Sequence, residues 1–193
     1  GWFTDVDPGD VEHQIAVNLT APLLLTQLVL PDMIARGRGH IVNIASIAGK
    51  AGGPFGAVYS ATKGGLAHAS ESLRAELAGT GVNVSTVCPG FVEDVGMYAR
   101  HEREAGVHAS RWIGTTTPHK VADAVVRALR ANAPELIVSP GPFRVMMAAG
   151  QLFPAINAPV TNWLVGGMLR AVADHRRHTR HRPASPPAPA APA

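Results

Sequence analysis

The 193-residue chain has one cysteine, few aromatic side chains and no long apolar run, and each shortage excludes a class of protein. A lone Cys88 cannot form an intramolecular disulfide, so a reducing, cytoplasmic compartment is expected. The opening Gly-Trp-Phe-Thr-Asp lacks the basic and apolar regions of a secretory signal. No uninterrupted apolar run reaches the roughly 20 residues of a transmembrane helix. These absences favour a soluble protein with an ordinary apolar core.

Charge is also scarce in the body of the chain. The net charge is +3, but residues 170–182 hold five arginines and one aspartate, a local charge of +4, so the remainder sums to −1. A nearly neutral body argues against specific nucleic-acid binding. Residues 175–193 read HRRHTRHRPASPPAPAAPA, a basic stretch followed by prolines and alanines without apolar periodicity. This composition predicts a disordered tail.

Apolar side chains make up 46% of the chain and charged ones 16%, which is typical of an α/β domain with a real core. Periodicity and turn residues predict alternating helices and strands. The predicted elements are a helix over 10–36, a strand over 40–46, a helix over 58–79, a strand over 82–88, a helix from Thr117-Pro118 to about 132 and a strand over 135–139. Alternation of this kind predicts a parallel sheet with helices on its faces.

The predicted domain covers residues 1–141, and a helical extension follows over 142–174. The extension is rich in apolar residues and is predicted as two helices broken by Pro154 and Pro159. Three roles are open for it: covering a substrate cleft, packing at a subunit interface, or lying on a membrane surface. The first two are favoured, and peripheral membrane contact would suit a lipophilic substrate.

The stretch from Ser46 to Lys63 carries the chemistry of the chain. Tyr59 and Lys63 are four residues apart, which places both side chains on one face of a helix. Ser46 ends a buried strand, and ligands of open parallel sheets bind beyond such carboxyl ends. A free phenol is a weak acid at neutral pH, and an ammonium nearby favours its ionised form. The three side chains therefore suit proton transfer to a substrate oxygen, although Tyr-x-x-x-Lys alone also fits an ordinary solvated helix surface.

Four landmarks in register resemble the classical short-chain dehydrogenase/reductase family. Ser46 lies thirteen residues before Tyr59, Tyr59 and Lys63 form Tyr-x-x-x-Lys, Cys88-Pro89-Gly90 matches a downstream Pro-Gly turn, and Asn18 falls at the fourth catalytic position. The resemblance covers residues 5–140. It implies a Rossmann-like doubly wound parallel sheet, of whose seven strands this chain supplies only the last three.

The resemblance also implies roles for these residues. Tyr59 would be the acid–base residue of a carbonyl/alcohol oxidoreductase, Lys63 would assist it and hold the cofactor ribose, Ser46 would orient the substrate oxygen, and Asn18 would hold a water. Hydride would come from NAD or NADP, since no side chain supplies one. The implied cofactor-binding residues are Tyr59, Lys63, Pro89, Gly90 and Val92. A small carbonyl or alcohol substrate and a homodimer or homotetramer of the full-length protein are expected.

Two departures from the family pattern generate alternatives. Neither the Gly-x-x-x-Gly-x-Gly turn that receives the cofactor pyrophosphate nor the Asn-Asn-Ala-Gly strand precedes Asn18. The sequence is therefore predicted to be the C-terminal portion of a reductase, with a natural half-length protein as the alternative. Asp94 occupies a usual threonine or serine position, where a carboxylate would repel pyrophosphate. A catalytically incomplete fragment or pseudoenzyme acting through helix-mediated association stays open, and a sugar-nucleotide epimerase or dehydratase is a more distant alternative.

Residues 95–116 fall where relatives have a variable substrate lid. Their histidines and arginines fit either an anionic ligand or, with more weight, a solvated surface loop; they are His101, Arg103, His108 and Arg111, with Trp112 beside them. NAD versus NADP, the substrate and the direction of reaction are not readable from this chain.

Overall fold

The computed structural model describes residues 1–109, 113–140 and 143–180. Arg111 and Trp112 lie outside these ranges. In chain order the elements are α1 (Pro8–Ile15), α2 (Ala21–Ala35), β1 (Gly39–Ile44), α3 (Ala57–Glu76), β2 (Val82–Pro89), α4 (Gly96–Ala105), α5 (Pro118–Ala131), β3 (Glu135–Val138), α6 (Phe143–Leu152), α7 (Pro154–Thr161) and α8 (Gly167–Arg180). The helices and strands that the sequence predicts through β3 are present, and α4 is a further helix in the segment 95–116, where a substrate lid or a solvated surface loop is predicted.

The three strands form one parallel sheet in the order β1-β2-β3. Gly39 of β1 pairs with Val82 of β2, and Thr86 of β2 pairs with Glu135 of β3. Because all three strands run the same way, their carboxyl ends meet at one edge. The Rossmann-like arrangement predicted for the later strands is confirmed.

Helix α5 covers one face of the sheet and shows how local sequence sets an element. The Thr117 hydroxyl accepts from the Lys120 amide at the N-terminus, and Pro118 occupies the first turn. Asn132 ends the helix in the left-handed conformation. Ala124 and Ala128 are fully buried against Val87 of β2. Small residues at this spacing let the helix lie close to the sheet.

Helices α1 and α2 are joined by a π-helical turn, Ala16–Thr20, into one helix from Pro8 to Ala35. Single π turns of this kind occur inside α-helices, and this one lies shortly before Pro22 in the first turn of α2. The prediction that no apolar segment reaches membrane-spanning length needs correction. This 28-residue helix is long and apolar enough to cross a bilayer, a test that core helices of soluble proteins also pass.

Much of this helix is uncovered in the described chain. Leu25 is 63% exposed and Leu28 74% exposed, while Leu30 and Met33 pack on a core cluster with Val84 of β2. One face thus contacts the sheet layer and the other is a free apolar stripe.

The C-terminal extension differs from the two helices predicted. It contains α6, α7 and α8, with a π turn at Asn162–Gly166, and Pro159 lies inside α7 rather than ending it. Helix α8 continues to Arg180, beyond residue 175 where the disordered tail is predicted to begin. Arg176 and Arg177 tie this part of α8 to the body through His101 and Asp5, which explains its order. Residues 181–193 lie outside the described ranges.

Candidate active site

Ser46 is held just beyond β1 by backbone contacts. The Ala45 amide donates to the Val87 carbonyl at 2.8 Å, which extends the sheet pairing by one residue. Ser46 is extended and 8% exposed, and its Oγ accepts from the Ala48 amide at 3.1 Å, so it caps a short 3-10 turn. The hydroxyl hydrogen stays available to an oxygen in the cavity beside it.

Tyr59 and Lys63 lie on the first turns of α3 and line the same cavity as Ser46. The Lys63 Nζ donates to the Ile44 carbonyl at the end of β1, at 2.9 Å. Burial lowers the pKa of Lys63 below its ordinary value, and a smaller influence of Cys88 opposes this. The helix and the strand end therefore bring three of the four predicted catalytic side chains to one cavity.

Asn18 is placed differently from these three. It lies in the π turn between α1 and α2, and its side chain is not on the cavity wall. Its Nδ2 donates to the Thr62 Oγ1 at 3.4 Å, and this hydroxyl donates to the Tyr59 carbonyl at 2.9 Å. Asn18 thus connects to the catalytic turn of α3 through Thr62, a residue that sequence reasoning missed.

Two glycines allow the turn that follows Ser46 to lie close to α3. A Cβ on Gly49 would lie 2.6 Å from the Gly64 nitrogen, and a Cβ on Gly64 would lie 3.1 Å from the Gly49 carbonyl oxygen. Real Cβ atoms do not tolerate the first distance, so the two backbones are in contact only because both residues lack side chains. This explains why α3 accepts a residue of low helix propensity just after Lys63.

Pro89, Gly90 and Val92 continue from β2 along the cavity wall. The Gly90 amide donates to the Val138 carbonyl at 3.0 Å, and Val92 pairs with Thr116. The segment is therefore tied to both β3 and the strand-like residue after α4. All three predicted cofactor-side residues lie on the cavity.

Asp94 turns away from the cavity. It is exposed, has a φ of 66°, and does not line the cavity wall. Its neighbour Glu93 accepts a hydrogen bond from the Thr115 Oγ1 at 2.7 Å. The repulsion predicted for a carboxylate at this position is reduced, because neither acid faces the enclosed space.

The cavity has a volume of about 650 Å³, within the usual range for a small-molecule site. Apart from Ser46, Tyr59 and Lys63 the lining is mostly apolar, and much of this apolar wall comes from the two ends of the chain. Its members include Phe3, Val6, Leu164, Val165, Leu169 and Val172. Helix α8 and the N-terminal segment therefore face the site.

Side-chain contacts hold these two ends together. The Trp2 Nε1 donates to the Asp174 Oδ1 at 2.8 Å, and the Trp2 ring meets the Phe55 ring edge-on at 4.9 Å. The Arg170 guanidinium lies 5.7 Å from the Trp2 ring centre and 5.8 Å from that of Phe55. The loop before α3, the N-terminal segment and α8 are thereby fastened into one wall.

Sequence reasoning kept the covering of a substrate cleft as one role for residues 142–174, but it did not identify which residues form this wall. A signal was available, since Val165, Leu169, Val172 and Arg176 follow a helical spacing that places them on one face. No local pattern, however, pairs Trp2 with Asp174.

Cys88 lies behind the catalytic residues in β2 and is fully buried. Burial raises the pKa of its thiol to about 12, and Glu135 adds to this effect. The thiol is therefore protonated at neutral pH and packs as a small buried side chain.

The parallel sheet is Rossmann-like, and Ser46, Tyr59 and Lys63 line one cavity at its carboxyl edge. A family model described as short chain dehydrogenase matches residues 1–105. The chain belongs to the short-chain dehydrogenase/reductase family.

Named relatives and a solved structure agree with this assignment. The chain is 41% identical over 168 residues to ketoacyl reductase HetN of Nostoc sp., covering 84% of this chain and 57% of that protein. It is 35% identical over 141 residues to 2-(S)-hydroxypropyl-CoM dehydrogenase 3 of Xanthobacter autotrophicus, covering 69% and 55% respectively. The crystal structure of serine dehydrogenase from Escherichia coli superposes with a TM-score of 0.58 at 31% identity, covering 72% of this chain and 57% of that one. The chain thus spans about half the length of the curated relatives it matches.

Proposed function

We propose that the protein interconverts a carbonyl compound and a secondary alcohol, with Tyr59 as the acid–base residue and NAD or NADP as the hydride carrier. The observation that carries this proposal is the convergence of Ser46, Tyr59 and Lys63 on one cavity, with the Lys63 Nζ fixed on the Ile44 carbonyl. Family membership supports the same reaction class.

A nicotinamide cofactor, when bound, would supply the hydride that reduction of the carbonyl carbon requires. The Ser46 hydroxyl donates a hydrogen bond to the carbonyl oxygen and orients it. The Tyr59 phenol gives its proton to that oxygen, so the carbonyl gains one hydride and one proton and becomes the alcohol. The Lys63 ammonium stabilises the tyrosinate charge that remains. In the oxidising direction the same groups act in reverse.

The residues present suit the nicotinamide end of the cofactor. Lys63 offers a cation and hydrogen-bond donors near the strand ends, and Pro89, Gly90 and Val92 form an uncharged surface beside it. Of the described cavity-lining residues none is an aspartate or glutamate, so a phosphate-bearing molecule meets no like charge on this wall. The choice between NAD and NADP stays open.

The first test is fluorescence titration of the chain with NADH and NADPH, followed by turnover of an uncharged test ketone. General acid catalysis contributes about 10²- to 10⁴-fold, so Tyr59→Phe should lower kcat/KM by about that factor. Tyr98→Phe is the matched control, because Tyr98 also lines the cavity but uses its hydroxyl to accept from the Ala109 amide. An equal loss in both variants would contradict the proposal.

The alternative is a chain that binds no cofactor and acts only through association of its helices. The exposed stripe with Leu25 and Leu28 on α2 favours association, and one edge of β1 pairs with no strand among the described residues. A folded chain that binds neither NADH nor NADPH would support this alternative. A homodimer or homotetramer, peripheral membrane contact, the absence of specific nucleic-acid binding and a cytoplasmic location stay predictions.

A further inference from the structure

The wall of the cavity contributed by the π turn Asn162–Gly166 and α8 changes from apolar to charged along the chain. Val165, Leu169 and Val172 present apolar side chains to the cavity, and Arg176, one turn further, lines it with a guanidinium group. The four residues share one face because they follow the helical period. A molecule lying along this face would meet apolar surface first and a positive charge at its end.

Arg176 is anchored without being neutralised. One of its amino groups contacts the His101 Nε2 of α4 at 2.7 Å. Burial and the adjacent Arg176 lower the pKa of His101, so this ring accepts the bond in its neutral form. A guanidinium has five N–H donors in a fixed planar arrangement, and most of them remain for a ligand. The pair therefore carries one positive charge at neutral pH.

The carboxylates near α8 do not neutralise Arg176. Asp5 forms an ion pair with Arg177 at 3.0 Å, and Asp174 accepts from the Trp2 indole. Glu104 of α4 influences His101 but is exposed and does not line the cavity. Among the described lining side chains the full charges are those of Lys63, which bonds to the Ile44 carbonyl, and Arg176. Arg176 is thus the side-chain cation on the apolar wall.

We propose that this cavity selects amphipathic carbonyl compounds, in which an apolar chain lies against α8 and an anionic end group binds Arg176. The inference rests on the proposed function, since it names the substrate class of the same site. Guanidinium groups bind carboxylate and phosphate through paired hydrogen bonds, and the apolar wall accounts for the chain.

Isothermal titration calorimetry without cofactor tests this directly. The probes are decanoate, decyl phosphate, methyl decanoate and decylamine, each below its aggregation concentration, with hexanoate as the short acid. Decanoate or decyl phosphate should bind at least tenfold more tightly than the ester or the amine. Each buried methylene should tighten binding about three- to fourfold, so decanoate should greatly exceed hexanoate. Whichever acid binds better identifies the end group.

Two substitutions test whether the preference for acid over ester depends on Arg176 of α8. Arg176→Gln should remove the preference for acid over ester, and Arg176→Lys should keep part of it. Arg100→Gln is the matched control, because it removes one positive charge from neighbouring helix α4 at an exposed position outside the cavity wall. Equal binding of acid and ester by the unaltered chain, or an equal loss in Arg100→Gln, would overturn the proposal, whether or not the Arg176 variants fold.

The two proposals fail in different ways. Turnover of an uncharged ketone that depends on Tyr59, together with no preference for acids, would leave the reaction standing and overturn the substrate class. Acid-selective binding that depends on Arg176, without Tyr59-dependent turnover, would keep the amphipathic ligand class and overturn the reaction.

Discussion

The two walls of the cavity are built in different ways. The catalytic wall comes from residues close in sequence, Ser46, Tyr59 and Lys63, and is fixed by backbone pairing of β1 with β2. The second wall joins the two ends of the chain through side chains, as in the bond between Trp2 and Asp174, which are 172 residues apart. The first wall is set by the sheet, and the proposed reaction rests on it. The second wall depends on a few side-chain contacts, and the proposed ligand class rests on it.

We expect the largest loss of stability and activity where the backbones of Gly49 and Gly64 are in contact, beside the loop that carries Ser46. Gly49→Ala should destabilise the fold by about 1–3 kcal/mol, because the new Cβ has no room against the backbone of Gly64. The loop that carries Ser46 must then shift, and displacement of about 1 Å costs roughly 10²-fold in rate. Urea unfolding and kcat/KM measure the two effects. Gly52→Ala in the same loop is the control, since no atom lies within 4 Å of its Cβ position.

The second substitution near the catalytic wall removes the buried hydroxyl of Thr62. Thr62 is 2% exposed, accepts from Asn18 and donates to the Tyr59 carbonyl. Thr62→Val removes the partner of the Asn18 amide and the extra hydrogen bond to the Tyr59 carbonyl, and should cost about 1–3 kcal/mol in urea unfolding. Thr20→Val, at an exposed position, should cost far less. A double-mutant cycle with Asn18→Ala should show coupling, and strictly additive effects would mean that the Asn18–Thr62 contact is not made.

The wall made from the chain ends should give a smaller effect of a different kind. Asp174→Ala removes the acceptor of the Trp2 indole and should cost about 1 kcal/mol. Because α8 faces the ligand, KM should rise more than kcat falls. Asp123→Ala, on the exposed face of α5, is the control. A fall in kcat equal to that of Gly49→Ala would contradict the division between the two walls.

The smallest effect concerns pH. Burial and Arg176 lower the pKa of His101 below 6.5, with Arg100 acting in the same direction and Glu104 opposing it. Between the folded-state pKa and 6.5 the unfolded chain binds more protons than the folded chain. The free energy of unfolding therefore rises with pH across that window and is lost as the pH falls through it. His101→Asn should flatten this dependence by about 1–2 °C in Tm between pH 5 and 7. An unchanged slope would mean that His101 is not confined beside Arg176.

The same division explains what the sequence predicts and what it does not. Tyr59 and Lys63 are found because one helical turn fixes their separation, and Ser46 because strand ends are marked by composition. The parallel sheet follows from alternation of elements. The position of Asn18 on Thr62 depends on a π turn, which changes hydrogen-bond register without a distinctive residue. The role of Arg176 depends on contacts between distant parts of the chain, and the ordered end of α8 depends on them as well.

The buried thiol of Cys88 gives the molecule a built-in chemical reporter. With its pKa raised to about 12 and no exposed surface, the native thiol is both inaccessible and unreactive toward alkylating reagents at neutral pH. Any labelling must therefore come from molecules in which β2 has opened. Since the chain has no other cysteine, mass spectrometry of the intact protein would count these opening events directly. Ligands that stabilise the sheet edge would lower the rate at which Cys88 is labelled, and no engineered probe is needed to measure this.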